Sequence, residues 1–553
     1  MGLRFPAIDW SAQAGLPSRR SGVLRLIGAA LVCSGSLALL VVSQDDPAEA
    51  QAVTPGDAIV LVRTTNTLRS SRGSGFLIGD GGWIVTASHV VSVDLGKGRR
   101  ASDQTVLIYS PWTGRPYEAR VAAVDGVADI ALIRMPQAGF PALPVEGLEV
   151  TDAATALTNL KDRPLRLFGF PLTYGEATVA ALAKPEHNDS RLREIAKRGE
   201  TNLCVLDPCP NAQPGWSGGP MVSADRGSVV AIFHSLYQKD EKGPGLPSGS
   251  LSGYLGGLLK QAGVTDLKAL TQVATPTVPR GGHAAEAMAS EMRSLSWSSI
   301  GNWKKAEEEQ REILGLLPGD AAARVELGRL LMAQQKFPEA VRELREAVRL
   351  APKSMGAHLL LGRALHLDYD PKGAITELQA ALAASPGEVE PQLTLAQVQE
   401  DNQKVDQAEA VLRKAMLDAP SHPVVVYRLG SLLVRTAAGR KPREEEGLKL
   451  LAQASEMCSA DAVLSFIPLG YGRSLEALRR WRDAEGAYRQ ALKVDPENAA
   501  AHYYLSLYYL HQNRLEDAQI QLNAGIRIKS ISDEVLEAFR ALQAKINEKG
   551  TGQ

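Results

Sequence analysis

Cysteine is scarce: the 553 residues hold four, Cys33, Cys204, Cys209 and Cys458. Four are too few to staple a disulfide-built scaffold, and their spacing fits no zinc pattern, so no metal site is expected. No cofactor is expected either. An excess of one charge is also missing, with 61 Lys plus Arg against 62 Asp plus Glu and a net charge of −1. The basic surplus that nucleic-acid binding requires is therefore absent, and nucleic acid is excluded as a partner. The chain is too long for one hydrophobic core, which points to several structural units.

One long apolar run is present, from Leu26 to Val42, after Arg19, Arg20 and Arg25 and before Asp45 and Asp46. Basic charge before such a run and acidic charge after it place the amino terminus in the cytoplasm and the remainder across the membrane. Two readings stand for residues 1–51. The run is long enough for a single membrane anchor at residues 23–42, while Ala48-Glu49-Ala50 has the small-x-small pattern of a signal-peptide cleavage site.

Beyond the leader, two halves have different periods. Residues 52–262 carry short runs of Val, Ile and Leu punctuated by Gly, Pro, Asp and Asn: Ala58 to Thr64, Gly75 to Ile78, Trp83 to Thr86, Thr105 to Tyr109, Ala119 to Val124, Ile130 to Arg134, Leu165 to Phe170 and Gly227 to Phe233. These are strand signals, and many short strands predict an all-β barrel or sandwich unit. The charged stretch from Asn188 to Gly199 is expected as a short surface helix. Residues 263–284, with Thr275-Pro276-Thr277, Pro279 and Gly281-Gly282, read as a linker.

After residue 284 helix formers dominate. Pro318, Pro352, Pro386 and Pro420 recur every 34 residues, with Ala306, Ala340, Ala374 and Ala408 twelve positions before them. Gly328, Gly362 and Ala396 hold the matching place in the first helix of each unit. Small residues at a crossing let two antiparallel helices approach, and the proline ends the second. The pattern resembles the tetratricopeptide repeat. It continues less regularly through Gly430, Gly447, Gly472, Ala484, Ala491, Pro496, Ser506 and Ala518, giving about seven repeats over residues 285–548 with a polar capping helix at the end.

Three local constellations carry chemistry. Ser217 sits in Gly215-Trp216-Ser217-Gly218-Gly219-Pro220, where glycines permit the tight backbone that aims two N–H groups at one point. The amides of Gly215 and Ser217 are the expected oxyanion donors. His89 follows an apolar strand in Thr86-Ala87-Ser88-His89-Val90-Val91. Asp129 opens another in Ala128-Asp129-Ile130-Ala131-Leu132. Each alone reads as a turn or strand-end residue. Together they come in the order His, Asp, Ser within one β-rich region.

These motifs resemble the three catalytic motifs of the chymotrypsin-type serine peptidases, the bacterial HtrA-like branch above all. Gly73-Ser74-Gly75-Phe76-Leu77-Ile78 and Phe168-Gly169-Phe170-Pro171 add to the likeness. The resemblance implies a trypsin-like domain of two six-stranded β-barrels, all-β, with His89 and Asp129 from the first and Ser217 from the second. It also implies a serine endopeptidase acting on protein or peptide substrates, exported to the bacterial periplasm or the outer face of the inner membrane. By the same likeness, Asn211, Phe233 and His234 fall near the primary specificity pocket. Trp216 departs from the family, whose digestive members carry Asp there, so activation by a freshly cut amino terminus cannot operate.

For Cys204 and Cys209, two readings stand, a small disulfide loop in an exported chain or two buried thiols. The repeats imply a protein partner held in a concave groove. The rival to the enzyme is an inert peptidase-fold scaffold, or an assembly or chaperone protein acting through its repeats.

Overall fold

The computed structural model describes residues 53–551 apart from 66–69, 95–99, 103–104, 149–151, 171–185, 199–200, 208–216, 238–245, 273–274, 459–461, 529–530 and 532. The expected leader and its candidate anchor at 23–42 lie outside the described residues. Among the described residues no helix is long and apolar enough to cross a membrane.

The first half is all β, as the sequence predicts. It opens with β1 (Ile59–Thr65), β2 (Ser70–Ile78), β3 (Trp83–Thr86), the one-turn α1 (Ser88–Val91) and a small pair, β4 (Ser92–Asp94) with β5 (Arg100–Ser102). Next come β6 (Thr105–Ser110), β7 (Arg115–Asp125) and β8 (Ile130–Arg134), which close a barrel in the order β1-β2-β3-β8-β7-β6. After α2 (Ala153–Leu160), six strands form a second barrel: β9 (Pro164–Gly169), β10 (Glu186–Arg198), β11 (Thr201–Asp207), β12 (Pro220–Ser223), β13 (Val229–Tyr237) and β14 (Leu246–Leu251). Their order is β10-β11-β14-β13-β12-β9, and α3 (Gly253–Gln261) follows.

Strand β8 shows why a run with no polar alternation folds here. Ala131 and Ile133 face the interior of the first barrel, while Ile130 and Leu132 face a second apolar cluster shared with the other barrel and with the helices. Both faces are buried, so both must be apolar.

The helix expected over 188–199 is instead part of β10. Leu192 and Ile195 are three apart, a helical spacing. A bulge between Leu192 and Glu194 inserts Arg193, which turns the strand's period of two into a local step of three. Both residues then pack against the core of the second barrel, and the charges pair across strands, Arg166 with Asp189 at 2.8 Å and Arg193 with Asp207 at 2.7 Å.

The second half is a run of helices. They are α4 (Ala284–Ser299), α5 (Trp303–Leu316), α6 (Ala321–Ala333), α7 (Phe337–Leu350), α8 (Met355–Leu367), α9 (Pro371–Ala384), α10 (Val389–Asp401) and α11 (Val405–Asp418). The series continues with α12 (Pro423–Arg435), α13 (Lys441–Glu456), α14 (Phe466–Ala477), α15 (Trp481–Val494), α16 (Ala499–His511), α17 (Leu515–Ile526) and α18 (Asp533–Thr551). They pair consecutively from α4 with α5 to α16 with α17, and α18 packs on α17. Helices α5, α7, α9 and α11 each end two residues before the register proline. Gly430 and Gly447 face each other, whereas Gly328 and Gly472 each admit a large neighbour. A Cβ on Gly328 would come within 2.5 Å of Leu344, and one on Gly472 within 2.5 Å of Tyr488.

The stretch expected as a linker is held along the first barrel. Trp112 Nε1 donates to the Val278 carbonyl at 2.7 Å, and the amides of Thr277 and Val278 donate to the Gly139 carbonyl at 2.8 and 2.9 Å. Arg280 stacks over Trp112 at 4.3 Å and pairs with Asp57 at 2.6 Å. Past it, Met288, Met292 and Leu295 of α4 join the same buried cluster as Ile59, Leu61 and Phe76 of the barrel. A buried ion pair crosses the junction: Arg63 of β1 meets Glu326 of α6 at 2.8 Å, and Glu326 also takes Arg329. Farther along, Glu118 of β7 accepts the amide of Gly356 at the start of α8, at 2.8 Å.

Candidate active site

The apolar strand β3 ends at Thr86, and the single turn of α1 lifts His89 out of the first barrel. Asp129 immediately precedes β8, the strand hydrogen-bonded to β3. Its backbone is left-handed, with φ of 55°, a region that Asp tolerates better than most residues. An Asx turn delivers it, since Asp125 Oδ1 accepts the amides of Val127 and Ala128 at 2.9 Å each.

Asp129 and His89 meet directly. His89 Nδ1 lies 2.7 Å from Asp129 Oδ2, while Asp129 Oδ1 accepts the Ser88 hydroxyl at 2.6 Å and the His89 amide at 3.0 Å. The Ser88 amide closes the clamp on the Asp129 carbonyl at 3.1 Å. Burial alone would raise the Asp129 carboxyl, but the hydrogen bond and charge of His89, the Ser88 hydroxyl and the charge of His234 outweigh it. They hold this carboxyl well below the usual carboxylate range, ionised at any working pH. His89 remains accessible, its side chain 40% exposed.

Ser217 belongs to the second barrel, just before β12. Its carbonyl accepts the Ser74 amide of β2 at 2.8 Å, a bond between barrels. Gly218 explains the glycine that follows. It has φ of +90°, and a Cβ there would lie 2.1 Å from the Ser74 carbonyl oxygen and 2.7 Å from the Ala87 nitrogen. No other residue fits against the turn that carries His89. Gly218 N also donates to the Phe233 carbonyl at 2.6 Å. The Ser217 hydroxyl itself donates to the His234 carbonyl at 3.2 Å. Ser74 Oγ accepts the Phe170 amide at 2.8 Å, so the motif before His89 and the motif opening the second barrel are tied together.

Of the remaining expected residues, only some are described. Gly215, Trp216, Asn211 and Cys209 lie outside the described residues. Phe233 is buried in the core cluster of the second barrel. His234 is buried too, its Nδ1 lying 4.0 Å from Asp129 Oδ2. Cys204 is a free, fully buried thiol whose pKa burial pushes up to about 12. Cys458 is also buried, its thiol donating to the Ala454 carbonyl at 3.0 Å. The sequence reading overlooked Ser88. Its hydroxyl, next to the histidine, was the available signal. Among the described residues no group of three or more His, Cys, Asp or Glu side chains is placed to hold a metal ion.

Comparison with known proteins agrees with this architecture. Residues 73–232 match the Trypsin-like peptidase domain family, and residues 325–389, 365–429 and 469–530 match Tetratricopeptide repeat families. A "Probable periplasmic serine endoprotease DegP-like" of Chlamydia pneumoniae is 29% identical over 164 residues, 29% of this chain and 28% of that protein. A "Putative serine protease HhoA" of Synechocystis is 31% identical over 171 residues, 30% of this chain and 36% of that one. The crystal structure of a serine endoprotease from Yersinia pestis aligns at 18% identity and a TM-score of 0.28, covering 38% of this chain and 64% of that chain. The matched region spans about a third of the length of these curated relatives. The chain thus joins a trypsin-like, HtrA-related serine peptidase domain to tetratricopeptide repeats.

Proposed function

We propose that the chain is an exported serine endopeptidase in which Ser217 is the nucleophile, His89 the general base and acid, and Asp129 the residue that orients His89. The observation that carries this reading is the 2.7 Å pairing of His89 Nδ1 with Asp129, a carboxylate itself fixed by Ser88 and the His89 amide. With a proton on Nδ1 facing the carboxylate, the ring's lone pair is on Nε2.

Ser217 Oγ swings about χ1 from the His234 carbonyl toward Nε2, a rotamer change far faster than turnover. As Oγ bonds to the scissile carbonyl carbon, its proton passes to Nε2, and the imidazolium lies against Asp129. The amides of Gly215 and Ser217 take the oxyanion, each such donor contributing about 100- to 1000-fold in turnover. Nε2 returns the proton to the leaving amine. Water then repeats the sequence on the acyl-enzyme.

Export is supported by the charge-flanked apolar run at 26–42 and by the word periplasmic in the name of the chlamydial relative. The destination on this reading is the periplasm or the outer face of the inner membrane, with residues 23–42 either removed as a signal or kept as an anchor. The repeats serve a protein partner. The first barrel meets α4 and α6, the start of α8 and, through Arg120, the end of α9, so capture falls to the first helices farther along, α10, α12, α14 and α16.

The resting hydrogen bond from Ser217 to the His234 carbonyl favours one rival, an inert scaffold whose repeats alone act. Hydrolysis of casein by the purified full chain separates the two. The peptidase reading predicts cleavage that Ser217→Ala abolishes. Equal rates for both proteins, or none in either across pH 5 to 9, would remove it.

A further inference from the structure

Strand β1 lies between the repeats and the turn that carries His89. Successive side chains of a strand point to opposite faces, and β1 divides its residues accordingly. Ile59 and Leu61 belong to the buried cluster that also holds Met288, Met292 and Leu295 of α4, and Arg63, next on that face, meets Glu326 of α6 at 2.8 Å. Val60 and Val62 belong instead to the interior of the first barrel, in one cluster with Ala87, Val90 and Val91. Thr64 is next on that inner face.

Thr64 does not continue the apolar row. It is 1% exposed, and its hydroxyl donates to the Val90 carbonyl at 3.1 Å. Carbonyls in the last turn of a helix have no partner within it, and α1 is a single turn, Ser88–Val91. The bond therefore satisfies a group that the helix itself cannot. Gly73 of β2 makes room for the same residue, since a Cβ there would lie 2.5 Å from Val90 Cγ2.

The turn is thus held from two strands. Asp129, just before β8, binds its first half through the Ser88 amide and hydroxyl and the His89 amide. Thr64 of β1 binds its second half.

We propose that Thr64 is a positioning residue for His89: its hydroxyl fixes the end of the turn from a strand whose other face is clamped by the repeats, and so sets where Nε2 stands relative to Ser217. The inference rests on the reading of His89, Asp129 and Ser217 as the catalytic triad.

Ser217 comes from the other barrel, so its approach to Nε2 depends on how firmly α1 is held in its own. Thr64→Val keeps the β-branched shape that suits a strand but removes the donor, leaving the Val90 carbonyl buried without it. The turn then shifts toward another donor, and His89 shifts with it. A misplacement of about 1 Å at reacting groups costs about 100-fold in rate, so a shift of a fraction of that should cost about tenfold. Because the contact lies behind His89 rather than on the substrate, the loss falls on kcat.

The test compares kcat and KM for a fluorogenic casein substrate in the full-length wild type, Thr64→Val and Thr64→Ser, at a temperature where circular dichroism shows all three folded. The rate of inactivation by a fluorophosphonate runs beside it and reports the serine's reactivity without substrate binding. The expected result is a loss of about tenfold in kcat and in inactivation rate for Thr64→Val, with KM within about twofold, while Thr64→Ser, which keeps the hydroxyl, stays within about threefold of wild type. A folded valine variant with wild-type rates, an equal loss in the valine and serine variants, or a loss confined to KM overturns this inference alone. A wild type without Ser217-dependent hydrolysis overturns the triad reading and this inference with it. Thr64→Ala takes the place of the valine variant if that variant does not fold.

Discussion

The junction between the first barrel and the repeats is built around a buried charge, and removing that charge has a calculable effect. Arg63 is 3% exposed and meets Glu326, also 3% exposed, across the junction. Burial alone would lower the affinity of Arg63 for its proton, but the charge of Glu326 overrides it and the guanidinium stays cationic. Arg63→Met keeps much of the apolar stem and leaves Glu326 with Arg329 alone. Breaking one side of a buried pair typically costs 3–5 kcal/mol, and the surviving Arg329 contact places this case near the lower end, about 3 kcal/mol. With a urea dependence of about 3 kcal/mol/M, the unfolding midpoint of the full chain should fall by about 1 M. The double variant Arg63→Met with Glu326→Leu replaces the pair by apolar side chains and should recover most of that loss, a coupling of about 2 kcal/mol or more.

Glu291 of α4 adds a pH signature to the same junction. Burial, and next the charge of Glu326, push its carboxyl up to about 7. The folded state thus holds this proton more tightly than the unfolded chain, so its contribution is present below about pH 4.5 and is lost as pH rises through 7. Arg63 opposes that rise, and Arg63→Met should therefore steepen the fall in stability between those limits. Urea titrations at pH 5 and pH 8 read it. A midpoint unchanged within about 0.2 M at both pH values would refute the reasoning that this pair holds the junction.

Other outcomes follow from the same coordinates. Asp129→Asn should fold, because Asn accepts a left-handed backbone as readily as Asp, yet lower kcat by about 10⁴-fold by losing control of the His89 tautomer; circular dichroism with casein kinetics checks both. Gly218→Ala sets a Cβ 2.1 Å from a backbone oxygen and should lower stability by about 2 kcal/mol or more, read by thermal unfolding. A truncated chain of residues 53–272 exposes the barrel face that Met288, Met292 and Leu295 cover, so it should unfold at lower urea than a chain of residues 53–299.

Much of this was legible because the motifs are local. His89, Asp129 and Ser217 each sit in a short stretch whose backbone demands, an exit from a strand, a turn into one and a glycine-lined loop, show in neighbouring residues. The repeats were legible through proline and alanine register, since each second helix ends two residues before its proline. Strand β10 was not, because a bulge gave Leu192 and Ile195 the spacing of a helix face. The contacts of His234 were not legible either. Its partners Asp129 and Ser250 are distant in sequence, and only closure of two barrels brings them together. The linker reading rested on proline and glycine content, which reports local backbone but not the Trp112 and Gly139 contacts that pin it.

The central claim, that Ser217 is an activated nucleophile, is tested most directly by treating the full chain with a fluorophosphonate and mapping the adduct by peptide mass spectrometry. The account predicts stoichiometric modification on Ser217, lost in Ser217→Ala and slowed by several orders of magnitude in His89→Ala. No adduct on Ser217, or equal labelling of wild type and Ser217→Ala, would contradict it.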